Sequence, residues 1–170
     1  MNIRSARAVD APALIAMLEE CREKSRYADM GSIDRDVARK FFCYGVQRHG
    51  GSTDGSTFLM VAENGEGVIE AFVYGVLSRI YAVGTRLGAN DQFLIAREGA
   101  NPRSVGKLVD TYIAWAESNP KCCEIALSWS DTVSESNAVT KMFQRRGFVC
   151  YSESWRRETP HARLPQKEAA

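Results

Sequence analysis

Between residues 57 and 97 the chain carries three apolar runs with the period of a strand, followed directly by a run with the period of a helix. TFLMVAE (57–63), VIEAFVYGVLSRI (68–80) and DQFLIAR (91–97) read as strands. Asn64-Gly65-Glu66-Gly67 is a hairpin turn signal, and residues 81–90 are a looser turn. Over 103–118, Val105, Leu108, Val109, Tyr112, Ile113 and Ala116 then fall on one helical stripe. EIALSWS (124–130) returns to alternation. Hairpins pair antiparallel, whereas strand–helix–strand crossovers pair parallel. This stretch therefore predicts a mixed sheet with helical cover.

The flanks extend the pattern. Residues 3–7 alternate as a first strand. Asp10 and Pro12 then suit the start of a helix over 11–22, which carries Leu14, Ile15, Leu18 and Cys21. A second helix is expected over 34–47, and residues 49–56 are a loop by composition. Ser134 to Asn137 can cap a helix bearing Ala138, Val139, Met142 and Phe143, with Gly147 at its end. Residues 148–155 read as a last strand and 158–170 as a mobile tail. The expected organisation is one domain over 1–157, with α/β order β-α-α-β-β-β-α-β-α-β.

Composition narrows the function classes. The chain has 170 residues, 22 Lys+Arg against 21 Asp+Glu, and 45% apolar residues, which fits a globular domain with its own core. The formal net charge of +1 argues against a nucleic-acid binder. No apolar window is long enough for a membrane span, and the N-terminus lacks a signal-peptide pattern. A cytoplasmic protein is therefore expected. The five cysteines (Cys21, Cys43, Cys122, Cys123 and Cys150) match no zinc spacing and are expected as reduced, buried thiols. With two histidines, His49 and His161, no metal site is expected.

The chemistry points to 91–116. A strand there runs through a short polar loop into a helix N-terminus, which presents backbone N–H groups and the positive end of a helix dipole. Such a turn suits a pyrophosphate, and Arg103 and Lys107 add positive charge beside it. The plainer reading is a crossover with solvated basic residues.

Three blocks in order resemble the Gcn5-related N-acetyltransferase family: DQFLIAREGANPRSVGKLVDTYIAWA (91–116), EIALSWS, and NAVTKMFQRRGF (137–148). Phage-encoded members look particularly similar. The opening residues Ile3 to Ala6 and Asp10 to Leu14 resemble the family's usual start, so the resemblance spans about residues 2–157. It implies a twisted, mostly antiparallel mixed sheet of six to seven strands, with a splayed fourth and fifth strand and about four helices on both faces. The implied activity is transfer of an acetyl group from acetyl-CoA, or another acyl group from its CoA thioester, to a primary amine on a small molecule or peptide. Direct attack in a ternary complex is implied, with no metal, and a homodimer is common among similar proteins.

The resemblance also implies roles for residues. Main-chain groups of Leu94, Ile95 and Ala96 would pair with pantetheine. Asn101, Arg103, Ser104, Val105, Gly106 and Lys107 would hold the pyrophosphate, and Ser136, Asn137 and Phe143 would complete the CoA site. Asp91 is the first candidate base and Glu70 the second, although an alternating strand would send Glu70 to solvent. Water or the hydroxyl of Ser130, Ser136 or Tyr151 is the candidate acid, while Tyr27, Met30 and Trp129 are candidate acceptor-site walls. Three departures stand out. Leu108 replaces a small residue, Pro102 removes an amide donor, and Phe143 stands where a proton-donating Tyr is usual. They motivate the alternative of a catalytically degenerate CoA-binding or protein-binding module.

Overall fold

A computed structural model describes residues 2–128, 137–151, 157–159 and 161. The described residues fall into two units, one formed by 1–18 with 34–128 and the other by 19–33 with 129–170.

The first unit holds the sheet. Its strands are β1 (Asn2–Ser5), β2 (Thr57–Glu63), β3 (Ile69–Arg79), β4 (Leu87–Ala96) and β5 (Cys122–Ala126). They lie side by side in chain order, antiparallel except for the parallel β4–β5 pair. The mixed sheet is as expected, but five strands are found among the described residues where six to seven were anticipated. Residues 148–151 of the anticipated last strand are not extended into a ladder, and 152–155 lie outside the described residues.

Pleat alternation sorts the core onto two faces. Helix α2 (Arg35–Gln47) sets Phe42 against Phe72 and Tyr74, with ring centroids 5.8 and 6.2 Å apart. Helix α3 (Pro102–Glu117) buries Leu108, Tyr112 and Ala116 against Phe58, Ala62, Ala71, Val73 and Leu77 on the opposite face. Trp115 stacks on Phe58 at 5.1 Å and donates from Nε1 to Gly51 O. Asn119 Nδ2 donates to Ser52 O, so the C-terminal end of α3 also anchors the 49–56 loop. Helix α1 (Ala11–Glu23) buries Leu14, Ile15, Met17 and Leu18. Helix α4 (Asn137–Gln144) lies in the second unit.

Several sequence expectations shift. β4 begins at Leu87 rather than Asp91, because residues 87–90 pair with 76–79 of β3 in one long hairpin. The tip of that hairpin is tight, with Tyr81 and Ala82 at positive φ. Asp10 does not simply cap α1. It is buried, accepts two bonds from the Arg4 guanidinium at 2.7 and 3.0 Å, and takes the Arg7 N–H at 2.7 Å. Burial alone would raise the Asp10 carboxyl, but these donors outweigh it and hold it below the usual range. The cysteines are not buried thiols: Cys123 and Cys150 are exposed, and the other three are half-buried. For Cys123 the reason is β5, whose residues Cys123 and Glu124 face solvent.

Candidate active site

The site is built by one strand changing partners. The β4–β5 ladder runs from Leu87 opposite Cys122 to Asn90 opposite Ala126. Directly after it, Asp91 Oδ1 accepts the Ser128 N–H at 2.9 Å and the Ser128 hydroxyl at 2.8 Å. A carboxylate thus replaces the next rung, and β5 is pinned to β4 through a side chain. The β3–β4 register then slips, because Tyr74 faces Phe93 while Gly75 faces Asp91. Gln92 is left as the extra residue of a bulge, a feature that bends a strand and re-aims its side chains.

Past the bulge β4 pairs with β3, whereas among the described residues its ladder with β5 has ended. Arg97 N–H donates to Glu70 O at 2.8 Å. Counting back by two, the main-chain groups of Ile95 point to β3, and those of Leu94 and Ala96 point away from it. Leu94 and Ala96 therefore present N–H and C=O groups on the side where the β5 ladder has stopped. That edge can take an extended chain of amides as an added strand would. Of the three main-chain positions expected for pantetheine, Leu94 and Ala96 have the orientation, while Ile95 serves the β3 ladder.

Asp91 is half-buried, and loss of solvent pushes its carboxyl above the usual aspartate value, opposed by the two Ser128 bonds. Its strand partner Gly75 makes room for Tyr112: a Cβ at Gly75 would lie 2.3 Å from the Tyr112 ring. Tyr112 is fully buried, and its hydroxyl donates to Ala126 O, the last ladder residue of β5, at 3.4 Å. Burial, followed by the nearby Asp91 charge, holds that phenol far above its ordinary value, so it stays protonated. Sequence reasoning placed Tyr112 on the core stripe of α3 and did not foresee its reach to the end of β5. No local pattern carries that signal.

The β4–α3 turn has its own bonding. Gly99 takes a left-handed φ of 78°, the conformation that favours glycine. Asn101 caps α3, its side chain accepting the Arg103 N–H at 2.9 Å. The N–H groups of Ser104 and Val105 both donate to Asn101 O, at 2.9 and 3.3 Å. Gly106 is buried within α3, and Lys107 lies one residue further along the helix. Leu108 departs from the family pattern because its side chain faces the core and is fully buried.

Glu70 is the clearest surprise. The β2–β3 register slips between Ala62 opposite Ala71 and Glu63 opposite Ile69, so Glu70 is itself a bulged residue. The bulge breaks the alternation that would have placed its side chain on the Phe72 and Tyr74 face, which is covered by α2 and is not open to solvent as expected. Its Oε1 instead accepts the hydroxyl of the buried Ser104 at 2.7 Å. Glu70 and Asp91 are not brought together, for Glu70 lies beside Arg97 at one end of the open segment and Asp91 at the other.

In the second unit, Phe143 is buried, with its ring 5.8 Å from that of Phe148. Tyr27 is exposed under the Arg26 guanidinium, 4.8 Å from the ring centroid. Met30 is half-buried in the same turn and donates its N–H to Tyr27 O. Asn137 begins α4, and Trp129, Ser130 and Ser136 lie outside the described residues. Among the described residues no cluster of His, Cys, Asp and Glu could hold a metal ion, and no helix is long and apolar enough to cross a membrane.

No protein-family model matches the chain, and no curated protein matches it in sequence. Solved structures do match along its length. An acetyltransferase of Trypanosoma brucei superposes with a TM-score of 0.65 at 12% identity, covering 93% of this chain and 99% of its own. Glucosamine-6-phosphate N-acetyltransferase of Arabidopsis thaliana gives 0.64 at 14% identity, covering 92% and 97%. A transcriptional regulator of Bacillus halodurans C-125 gives 0.66 at 18% identity, covering 93% and 99%. The chain has the acetyltransferase fold. At these identities the likeness establishes the architecture, in agreement with the resemblance to the Gcn5-related N-acetyltransferases.

Proposed function

We propose that the protein transfers an acyl group, acetyl in the first instance, from a CoA thioester to a primary amine. The observation that carries this reading is the open edge of β4 beyond the Gln92 bulge, with Asp91 fixed where the edge begins. Leu94 and Ala96 offer outward amide and carbonyl groups in the alternation that a pantetheine arm can meet. Bound there, the thioester supplies an activated carbonyl and a thiolate leaving group. Asp91 takes the proton that the attacking amine must lose, and its raised carboxyl suits a base working near neutral pH. Ser128 orients that carboxylate through two bonds to a single oxygen, leaving Oδ2 outside them. Arg103 and Lys107 supply positive charge at the start of α3 for the diphosphate.

The acceptor on this reading is a small amine or a peptide amine. Titration of acetyl-CoA and CoA, beside an Arg103→Glu variant, tests the donor half. Binding that the charge reversal abolishes supports the reading, and a thiol-release assay over a panel of amines then finds the acceptor. No binding of either ligand by the wild type would defeat it.

One observation favours a second reading, a donor-binding or protein-binding module without turnover. The first-turn amides of α3 at Arg103 and Ser104 are already bonded within the chain. Donor binding with no amine-dependent thiol release would select it.

A further inference from the structure

The first turn of α3 is occupied by the chain itself. A helix start ordinarily leaves its leading N–H groups for an outside acceptor. Here Pro102 has none, Arg103 gives its N–H to Asn101 Oδ1, and Ser104 gives its N–H to Asn101 O. Against the same turn stands a carboxylate from another strand. Glu70 Oε1 is 2.7 Å from the Ser104 hydroxyl, and Ser104 has no exposed surface. The bulge in β3 places it there, and its main-chain carbonyl takes the Arg97 N–H at the end of β4. A carboxylate at a helix N-terminus is favourable for the fold because it meets the positive end of the dipole. That same favourable position works against a second anion.

From this geometry we propose that Glu70 is a donor-selectivity residue, and not a base. Its charge lowers affinity for donors that carry a diphosphate, relative to the uncharged pantetheine arm on the β4 edge. The inference rests on the acyl-CoA reading above and adds to it. The two parts of the donor meet different surroundings. The pantetheine edge at Leu94 and Ala96 has outward main-chain groups, whereas the nucleotide end has bonded amides and a like charge. Arg97, Arg103 and Lys107 supply the opposing positive charge near that end, so the expected outcome is weakened rather than abolished nucleotide recognition.

The test is calorimetric titration of CoA and of pantetheine into the wild type and Glu70→Gln. The amide keeps an oxygen to accept from Ser104, and thermal melts verify the fold. CoA should bind roughly three- to tenfold more tightly to Glu70→Gln, the scale of one charge at a helix terminus. The gain should shrink at high salt, and pantetheine affinity should stay the same. Ser104→Ala cuts the tether but leaves the charge, and should give a smaller shift in the same direction. It carries the test alone if Glu70→Gln does not fold. CoA affinity that is unchanged or weaker in the folded variant, with both proteins binding, overturns the inference and leaves the acyl-CoA reading intact. If neither ligand binds either protein, the acyl-CoA reading fails and the inference falls with it.

Discussion

The two halves of β4 make an instructive pair. Leu87, Gly88 and Ala89 are buried and paired with both β3 and β5. From Phe93 to Ala96 the same strand pairs with β3 and is half-buried or exposed. Propensity does not separate them, since FLIA is the more strand-like of the two stretches. What separates them is the neighbourhood of one position. At Asp91 a carboxylate takes the place of a rung, Gly75 admits the Tyr112 ring, and Gln92 bulges. A continuous ladder would have no room for an added chain. The interruption leaves the second half of the strand as the edge to which the proposed reading assigns the donor.

The largest expected effect comes from the carboxylate that marks the boundary. Asp91→Asn should lower kcat roughly 10²-fold or more, the usual contribution of a positioned base. In the wild type the acid limb of the rate profile should titrate above the ordinary aspartate value, and the variant should lose that limb. An unchanged profile would remove Asp91 from the chemistry and leave it as a latch.

Next is the packing beneath it. Gly75→Val forces a side chain into the Tyr112 ring and should cost about 2–3 kcal/mol, read as a lowered Tm or urea midpoint. Ser128→Ala removes one of the two bonds to Asp91 Oδ1 and should cost about 1 kcal/mol. Losing a bond that favours the charged form should also move the acid limb of the rate profile upward, an effect that a purely structural serine would not produce.

The smallest effect serves as a control away from β4. His49 Nδ1 accepts the Leu59 N–H at 2.9 Å, which requires the neutral ring, and burial holds the imidazole below its usual value. The unfolded chain therefore takes up the proton first as pH falls. This contribution is complete above the unfolded histidine value of about 6.5 and declines as pH drops through it, levelling off below the folded value. His49→Asn keeps an acceptor for Leu59 and should remove that part of the slope in a Tm-against-pH series. Donor binding at β4 should not respond.

Much of this was legible in the chain itself. The period-two runs and the α3 stripe located β2, β3 and α3 closely, because each element buries a face whose spacing is written locally. The β4 start was missed by four residues: LGAN carries little apolar alternation and is held as a strand by its β3 partners. The 101–107 turn stands out because a strand–loop–helix junction is a local pattern, whereas Asp91 stands out through the family resemblance, which implies a carboxylate at the start of the expected strand. The Ser128 latch, the Tyr112 hydroxyl and the Gly75 clearance do not stand out, since each joins segments distant in the chain.

Glu70 shows the division most plainly. The sequence by itself determined that a carboxylate sits in a strand of alternating pattern and that a polar turn precedes an amphipathic helix. Which way that carboxylate points was decided by the register slip opposite Glu63, and what it meets was decided by the seating of α3 on the sheet. Periodicity is a property of neighbours along the chain, so it can be read directly. Bulges, and the contacts they redirect, are settled only when two strands commit to a register, and that balance involves every side chain on both faces.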